Sequence, residues 1–147
     1  MSLQGKKEIK TVSDLIEAAN VAMGTFRVVP WWRGHADANW RLVPGVFREK
    51  KRAADEQLLA TEFMRQAPVL YQNCPPMEAW ADWLYLMQHY RLYTRLLDWT
   101  ESMLVAAFFA VDEHTDKAGA LWALHAGGLN KSHGKRGPRK FGQCDKW

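Results

Sequence analysis

The chain reads as one α+β domain, a small sheet flanked by several helices. Two short β-forming stretches, residues 26–32 and 119–125, are separated by segments whose apolar residues recur at helical spacing. At 147 residues the chain is long enough for one domain to bury roughly two-thirds of its unfolded surface. Its 48% hydrophobic and 24% charged content is that of a globular protein.

Thr11-Val12-Ser13-Asp14 offers capping side chains ahead of Leu15, Ile16, Ala19 and Met23, and Gly24 supplies a stop, which makes residues 1–24 an N-terminal helical segment. Residues 26–32 follow as a strand that Pro30 places at an edge or bends. Pro44-Gly45 marks a turn. Leu58, Leu59, Glu62 and Phe63 give residues 53–67 a helical pattern that Pro68 ends, and Asn73-Cys74-Pro75-Pro76 is a break. Residues 78–90 are helical, with Trp80, Trp83, Leu84 and Met87 on one face. A polar elbow over 89–100 leads into residues 103–111, apolar all round and so read as a buried helix capped by Asp98 or Thr100. A charged loop over 112–117 precedes the strand at 119–125.

The net charge of +4 is unevenly placed. Lys131, Lys135, Arg136, Arg139, Lys140 and Lys146 face only Asp145 in residues 131–147, so the preceding body is close to neutral. This basic tail is expected to be disordered, and it is also the segment suited to contact nucleic acid by neutralising phosphates. Cys74 and Cys144 form neither a metal spacing nor a disulfide framework. No apolar run approaches the ~20 residues a membrane span needs, and no signal core opens the chain. A cytoplasmic protein with reduced thiols and no membrane association is expected.

Two stretches concentrate ionisable side chains among bulky apolar ones. In the first, WWRGHADANW from Trp31 to Trp40, Arg33 followed by Gly34 suits bidentate binding of a phosphate or carboxylate to which the backbone approaches closely. The same arginine is equally suited to a buried ion pair with Asp98 or Asp37, behind walls built by Trp32 and Trp40. In the second, Gln88, His89, Arg95, Asp98, Thr100 and Ser102 stand before the apolar helix, whose N-terminus can receive an anion or simply be capped. His35 and His89 are read as supporting hydrogen-bond donors. The five histidines show no ligand spacing, so no metal site is expected.

Trp32-Arg33-Gly34-His35 with Trp40-Arg41-Leu42-Val43-Pro44 resembles the opening of the FRG domain, named for an aromatic-Arg-Gly motif. Gln88-His89-Tyr90, then Thr94-Arg95-Leu96-Leu97-Asp98-Trp99-Thr100, then Ala106 and Phe108-Phe109-Ala110, resemble its second motif. Gly119-Ala120-Leu121-Trp122-Ala123-Leu124 and Leu129-Asn130 resemble the strand and turn that follow. The resemblance covers residues 25–130. It implies a domain of unassigned activity and a shared polar cluster of Arg33, Gly34, His35, Gln88, His89, Arg95, Asp98, Thr100 and Ser102. The chain departs from the family pattern at Arg91 and Tyr93, where Gly and Pro are usual, and at Met103, where Pro is usual. The family's further strand-like sequence past Asn130 gives way here to the basic tail, so an incomplete domain is one expectation.

A more distant similarity is to arginine-specific ADP-ribosyltransferases, with Arg33, Thr100 and Ser102 at the matching positions. That similarity implies an arginine holding the NAD pyrophosphate, a Ser/Thr element lining the nicotinamide pocket, and a later glutamate. Glu113 precedes the strand at 119–125 and no glutamate follows it. Two functions are therefore carried forward. One is a pocket for a phosphorylated small molecule such as NAD, with catalysis left open. The other is a non-catalytic interaction domain whose basic tail, through Lys131, Lys135, Arg136, Arg139 and Lys140, contacts nucleic acid.

Overall fold

The computed structural model describes residues 8–48, 56–113 and 116–132. In chain order its elements are helix α1 (Val12–Phe26), strand β1 (Trp31–His35), helices α2 (Gly45–Arg48), α3 (Glu56–Leu70), α4 (Trp80–His89) and α5 (Met103–Val111), strand β2 (Ala120–Leu124) and helix α6 (Ala126–Ser132). Among the described residues, six helices and one two-stranded antiparallel sheet are the expected α+β content. The chain divides into two compact units, residues 1–39 with 99–147, and residues 40–98. No helix among the described residues is long and apolar enough to cross a membrane.

In the first unit, α1 starts at a capping box. Thr11 Oγ1 accepts from Asp14 N at 3.1 Å while the Asp14 carboxylate accepts from Thr11 N at 2.9 Å. The helix does not stop at Gly24. It runs to Phe26 and ends where Arg27 turns left-handed (φ 55°), its N–H bonding Met23 O at 2.8 Å. Val28-Val29-Pro30 then resists further helix, because β-branched residues and the position before proline favour extended backbone.

The first strand accordingly begins after Pro30, later than the sequence pattern suggested. β1 pairs antiparallel with β2, Arg33 opposite Trp122 and Gly34 opposite Leu121. Proline has no N–H to give a ladder, so it sits before the strand instead of within it. On the other edge of β1, Trp32 and Thr100 exchange both backbone hydrogen bonds, at 2.7 and 2.9 Å. Because side chains alternate, Trp32, Gly34, Leu121 and Ala123 share one face, and Arg33, His35, Ala120 and Trp122 share the other. The first face meets Ala106 and Met103 of α5 and Ala19 and Ala22 of α1 in a core centred on Trp32.

α5 is a helix as expected, but it is not buried all round. Only Ala106 and Ala110 are buried, and the larger Leu104, Val105, Phe108, Phe109 and Val111 are exposed. A two-stranded sheet covers only one narrow stripe of a helix, and small residues occupy that stripe because the backbones come so close. α6 occupies the stretch over Leu129 and Asn130, where a turn was expected.

In the second unit, α3 and α4 pack through Ala60, Leu84 and Met87, flanked by Leu59, Phe63, Leu92 and Leu96. Trp83 is almost fully buried, and its indole N–H donates to Pro76 O at 3.0 Å, which ties the Pro75-Pro76 break to the helix. Pro68 does not end α3, which continues to Leu70, with Tyr71 N still bonding Ala67 O at 2.8 Å. In a final turn a proline removes a single intrahelical bond, which the helix tolerates. Pro44-Gly45 turns directly into α2, with Phe47 N on Pro44 O at 3.0 Å. Trp40, expected in a core wall, is exposed.

Candidate functional site

The first unit brings together Arg33, Gly34 and His35 from β1, Thr100 and Ser102 ahead of α5, and Trp122 from β2. Arg33 lies at the centre of its strand and not at the strand end, and its Nε donates to His35 Nε2 at 3.1 Å. The Trp122 indole N–H donates to His35 Nδ1 at 3.2 Å, with the rings edge to face. His35 is only 3% exposed. Both neighbours are donors, and a neutral imidazole can accept from one of them while its other ring nitrogen keeps an N–H to donate.

Gly34 does allow a close backbone approach, and α5 is what approaches. A Cβ at this position would be driven into Ala106 O and would stand 2.7 Å from Ala110 N. Gly119 does the same from the other side of the helix stripe, where a Cβ would meet Ala110 O and lie 3.0 Å from His35 O. Gly34, Gly119, Ala106 and Ala110 thus form one seam between sheet and helix.

The start of α5 is also occupied. Ser102 is its N-cap, the hydroxyl accepting from Val105 N at 3.4 Å, in place of the Asp98 or Thr100 cap read from the sequence. Thr100 Oγ1 accepts from Ser102 N at 3.0 Å and so shapes the turn before the cap. Asp37 pairs with Lys117 Nζ at 3.0 Å and accepts from Asn39 N at 2.9 Å. The Asn39 N–H and then Lys117 hold its carboxyl below the usual carboxylate range.

The second unit contains a separate polar arrangement. The Thr94 hydroxyl donates to Gln88 Oε1, and Gln88 Nε2 donates to Asp98 Oδ1, so the elbow after α4 is wound around one glutamine side chain. Leu96 N completes the winding by donating to Thr94 Oγ1 at 3.2 Å. Arg95 pairs with Glu56 at the start of α3, its Nε lying 2.9 Å from Oε2 and its Nη2 engaging the same oxygen. Glu56 is buried, at 3% exposed, and its charged hydrogen bonds raise the Arg95 guanidinium above its ordinary value. His89 is exposed at the end of α4, edge-on to Tyr90.

Arg33 belongs to the first unit and Asp98 to the second, so the ion pair expected between them remains an expectation. Thr94, Gly119 and Trp122 stand in the family-like motifs without being among the expected cluster residues, and Glu56 stands in none of them. Gly119 carried a signal, as a glycine opening a strand, whereas nothing local marks Glu56 as the partner of an arginine 39 positions away. Among the described residues no group of three or more His, Cys, Asp or Glu side chains could hold a metal ion. None of their buried side-chain polar atoms lacks a hydrogen-bond partner. Lys135, Arg136, Arg139 and Lys140 lie outside the described residues, and Lys131 falls in the last turn of α6.

Compared with known families, the chain matches the model described as the FRG domain over residues 29–119, from just before β1 to the glycine preceding β2. No curated protein and no solved structure matches it.

Proposed function

Since the chain belongs to the FRG domain family, we propose that it is a non-catalytic interaction domain whose signature residues build the fold and whose basic C-terminal segment contacts nucleic acid. The observation that carries this reading is the seam at Gly34. The close backbone approach that Gly34 permits is filled by Ala106 and Ala110 of the chain's own helix, so the glycine of the motif serves packing on the face opposite Arg33. Ser102, Thr100, Gln88 and Arg95 likewise have internal partners. Ser102, Thr100 and Gln88 hold turns and a helix end, and Arg95, which lines an open cavity, is already paired there with the Glu56 carboxylate.

The competing reading is an ADP-ribosyltransferase-like pocket in which Arg33 holds the pyrophosphate of NAD. Titration calorimetry of the full chain with NAD, and separately with short duplex DNA and single-stranded RNA, separates the two. The expected result is nucleic-acid binding without saturable NAD uptake. For about five phosphates neutralised, affinity should fall by about 10²–10³-fold between 50 and 200 mM salt. Saturable NAD binding that is weakened by Arg33→Lys in a folded variant would overturn the proposal in favour of the pocket.

A further inference from the structure

In the second unit the Arg95–Glu56 pair stands in an open cavity of about 300 Å³, at the lower end of the range for small-molecule sites. Among the described residues it is lined by Glu56, Gln57 and Thr61 of α3, Trp80 at the start of α4, and Arg95. Arg95 gives Nε and Nη2 to the Glu56 carboxylate, whereas Nη1 has no partner among the described residues and the side chain is 55% exposed. A guanidinium held side-on keeps its end-on edge, Nη1 with the second Nη2 hydrogen, as a two-donor fork of fixed shape. Trp80 is 41% exposed, and among the described residues its indole makes neither a hydrogen bond nor a ring contact. The Thr61 hydroxyl donates to Gln57 O at 2.8 Å, which leaves its oxygen free to accept.

Charge narrows the class of ligand. Glu56 cancels the charge of Arg95, so an anion gains little by entering. An uncharged ligand that offers two acceptors to the fork and a flat face to the indole gains from both. Aromatic faces beside fixed polar groups are the means by which unstacked bases are held.

We propose that this cavity takes a guanine base, stacked on Trp80, with O6 and N7 accepting from the outer edge of Arg95. Guanine presents those two acceptors side by side, whereas adenine sets an amino group in place of one of them. The base can belong to a free nucleotide or to a single strand. The proposal goes beyond the nucleic-acid reading, because none of these residues belongs to the basic segment.

Calorimetric titration of the full chain with GMP, AMP and inorganic phosphate tests it. GMP should bind saturably, AMP at least about fivefold more weakly, and phosphate not at all. Trp80→Ala should weaken GMP binding at least about fivefold, and Trp80→Phe, which keeps a ring face, should retain most of it. Between 50 and 200 mM salt GMP affinity should change less than about threefold, whereas phosphate contacts of the basic segment lose about 10²–10³-fold, so either reading can fail without the other. A uridine hexanucleotide carrying one guanosine, compared at high salt with its all-uridine form, identifies the source. A guanosine-dependent gain over GMP places the base in a single strand, and no gain places it in a free nucleotide. Absence of saturation by both GMP and the guanosine hexanucleotide would overturn the proposal, as would equal affinity for GMP and AMP. So would a folded Trp80→Ala variant that binds GMP as the parent does. If that variant does not fold, a Trp80 indole N–H resonance in the parent that GMP leaves unmoved has the same force.

Discussion

A methyl group at Gly34 would meet Ala106 O and Ala110 N, both backbone atoms, so it could be accommodated only if α5 moved off β1. Gly34→Ala should therefore cost about 3 kcal/mol, the upper part of the range for overpacked cores, read as a fall in the urea midpoint. A variant within about 0.5 kcal/mol of the parent would show that the seam yields easily. Arg91 presents the opposite case. It sits at φ 61°, a left-handed conformation unfavourable for a residue with a Cβ, at a position where the family resemblance places glycine. Arg91→Gly should raise stability by about 1 kcal/mol in the same assay, and a loss would mean that the arginine side chain contributes more than its backbone costs. Asp37 sets an acid limit. Its carboxyl is held below its ordinary value of 3.8 by Asn39 N–H and Lys117, so its contribution is complete above that value and is lost as pH falls through the lower folded value. Asp37→Asn should be less stable than the parent at pH 6 and should lose less stability below about pH 4. Parallel acid-unfolding curves would contradict that sign.

At the scale of elements, α5 carries most of the difference between expectation and structure. Its composition identified a helix, and nine residues without a polar side chain identified a contact surface. Periodicity alone could not say how many sides would be covered, because that depends on how wide a sheet lies beneath. The start of the helix was legible as a capping region, yet the residues read as caps, Asp98 and Thr100, are not the one that caps it. The choice of Ser102 follows from the extended backbone there (φ −89°, ψ 111°) and from Thr100 being engaged with Trp32 and Ser102 N. Ser102→Ala should cost about 1 kcal/mol, the usual loss for an N-cap, as a lowered thermal midpoint. Ser102→Asp should restore it, since a carboxylate caps equally well and meets the positive helix end. Failure of aspartate to rescue would show that the hydroxyl does more than cap.

For the whole molecule, charge is divided along the chain. The body is close to neutral, and residues 131–147 hold six basic side chains and one acidic one. If that segment provides the phosphate contacts, a chain ending at Ser132 should fold with an unchanged thermal midpoint, bind nucleic acid at least about tenfold more weakly and lose most of its salt dependence. Unchanged binding by the shortened chain would move the contacts onto the body and end the proposed role of the basic segment.

Local order was set by the residues themselves. The capping box before α1, the apolar face of α4, the helix at 103–111, the strand after Gly119 and the ordered FRG motifs are all short-range patterns, fixed by propensity and periodicity. Proline and glycine misled at Gly24 and Pro68, because each marks a permitted stop and the chain beyond decides whether the helix takes it. Partners were a different matter. Glu56 for Arg95, Trp122 and Arg33 around His35, and the backbone of α5 against Gly34 were assigned only when distant segments met in space. A side chain's chemistry states what it can bond. Which bond it makes depends on the few groups within about 3 Å, and those are chosen by the path of the folded chain.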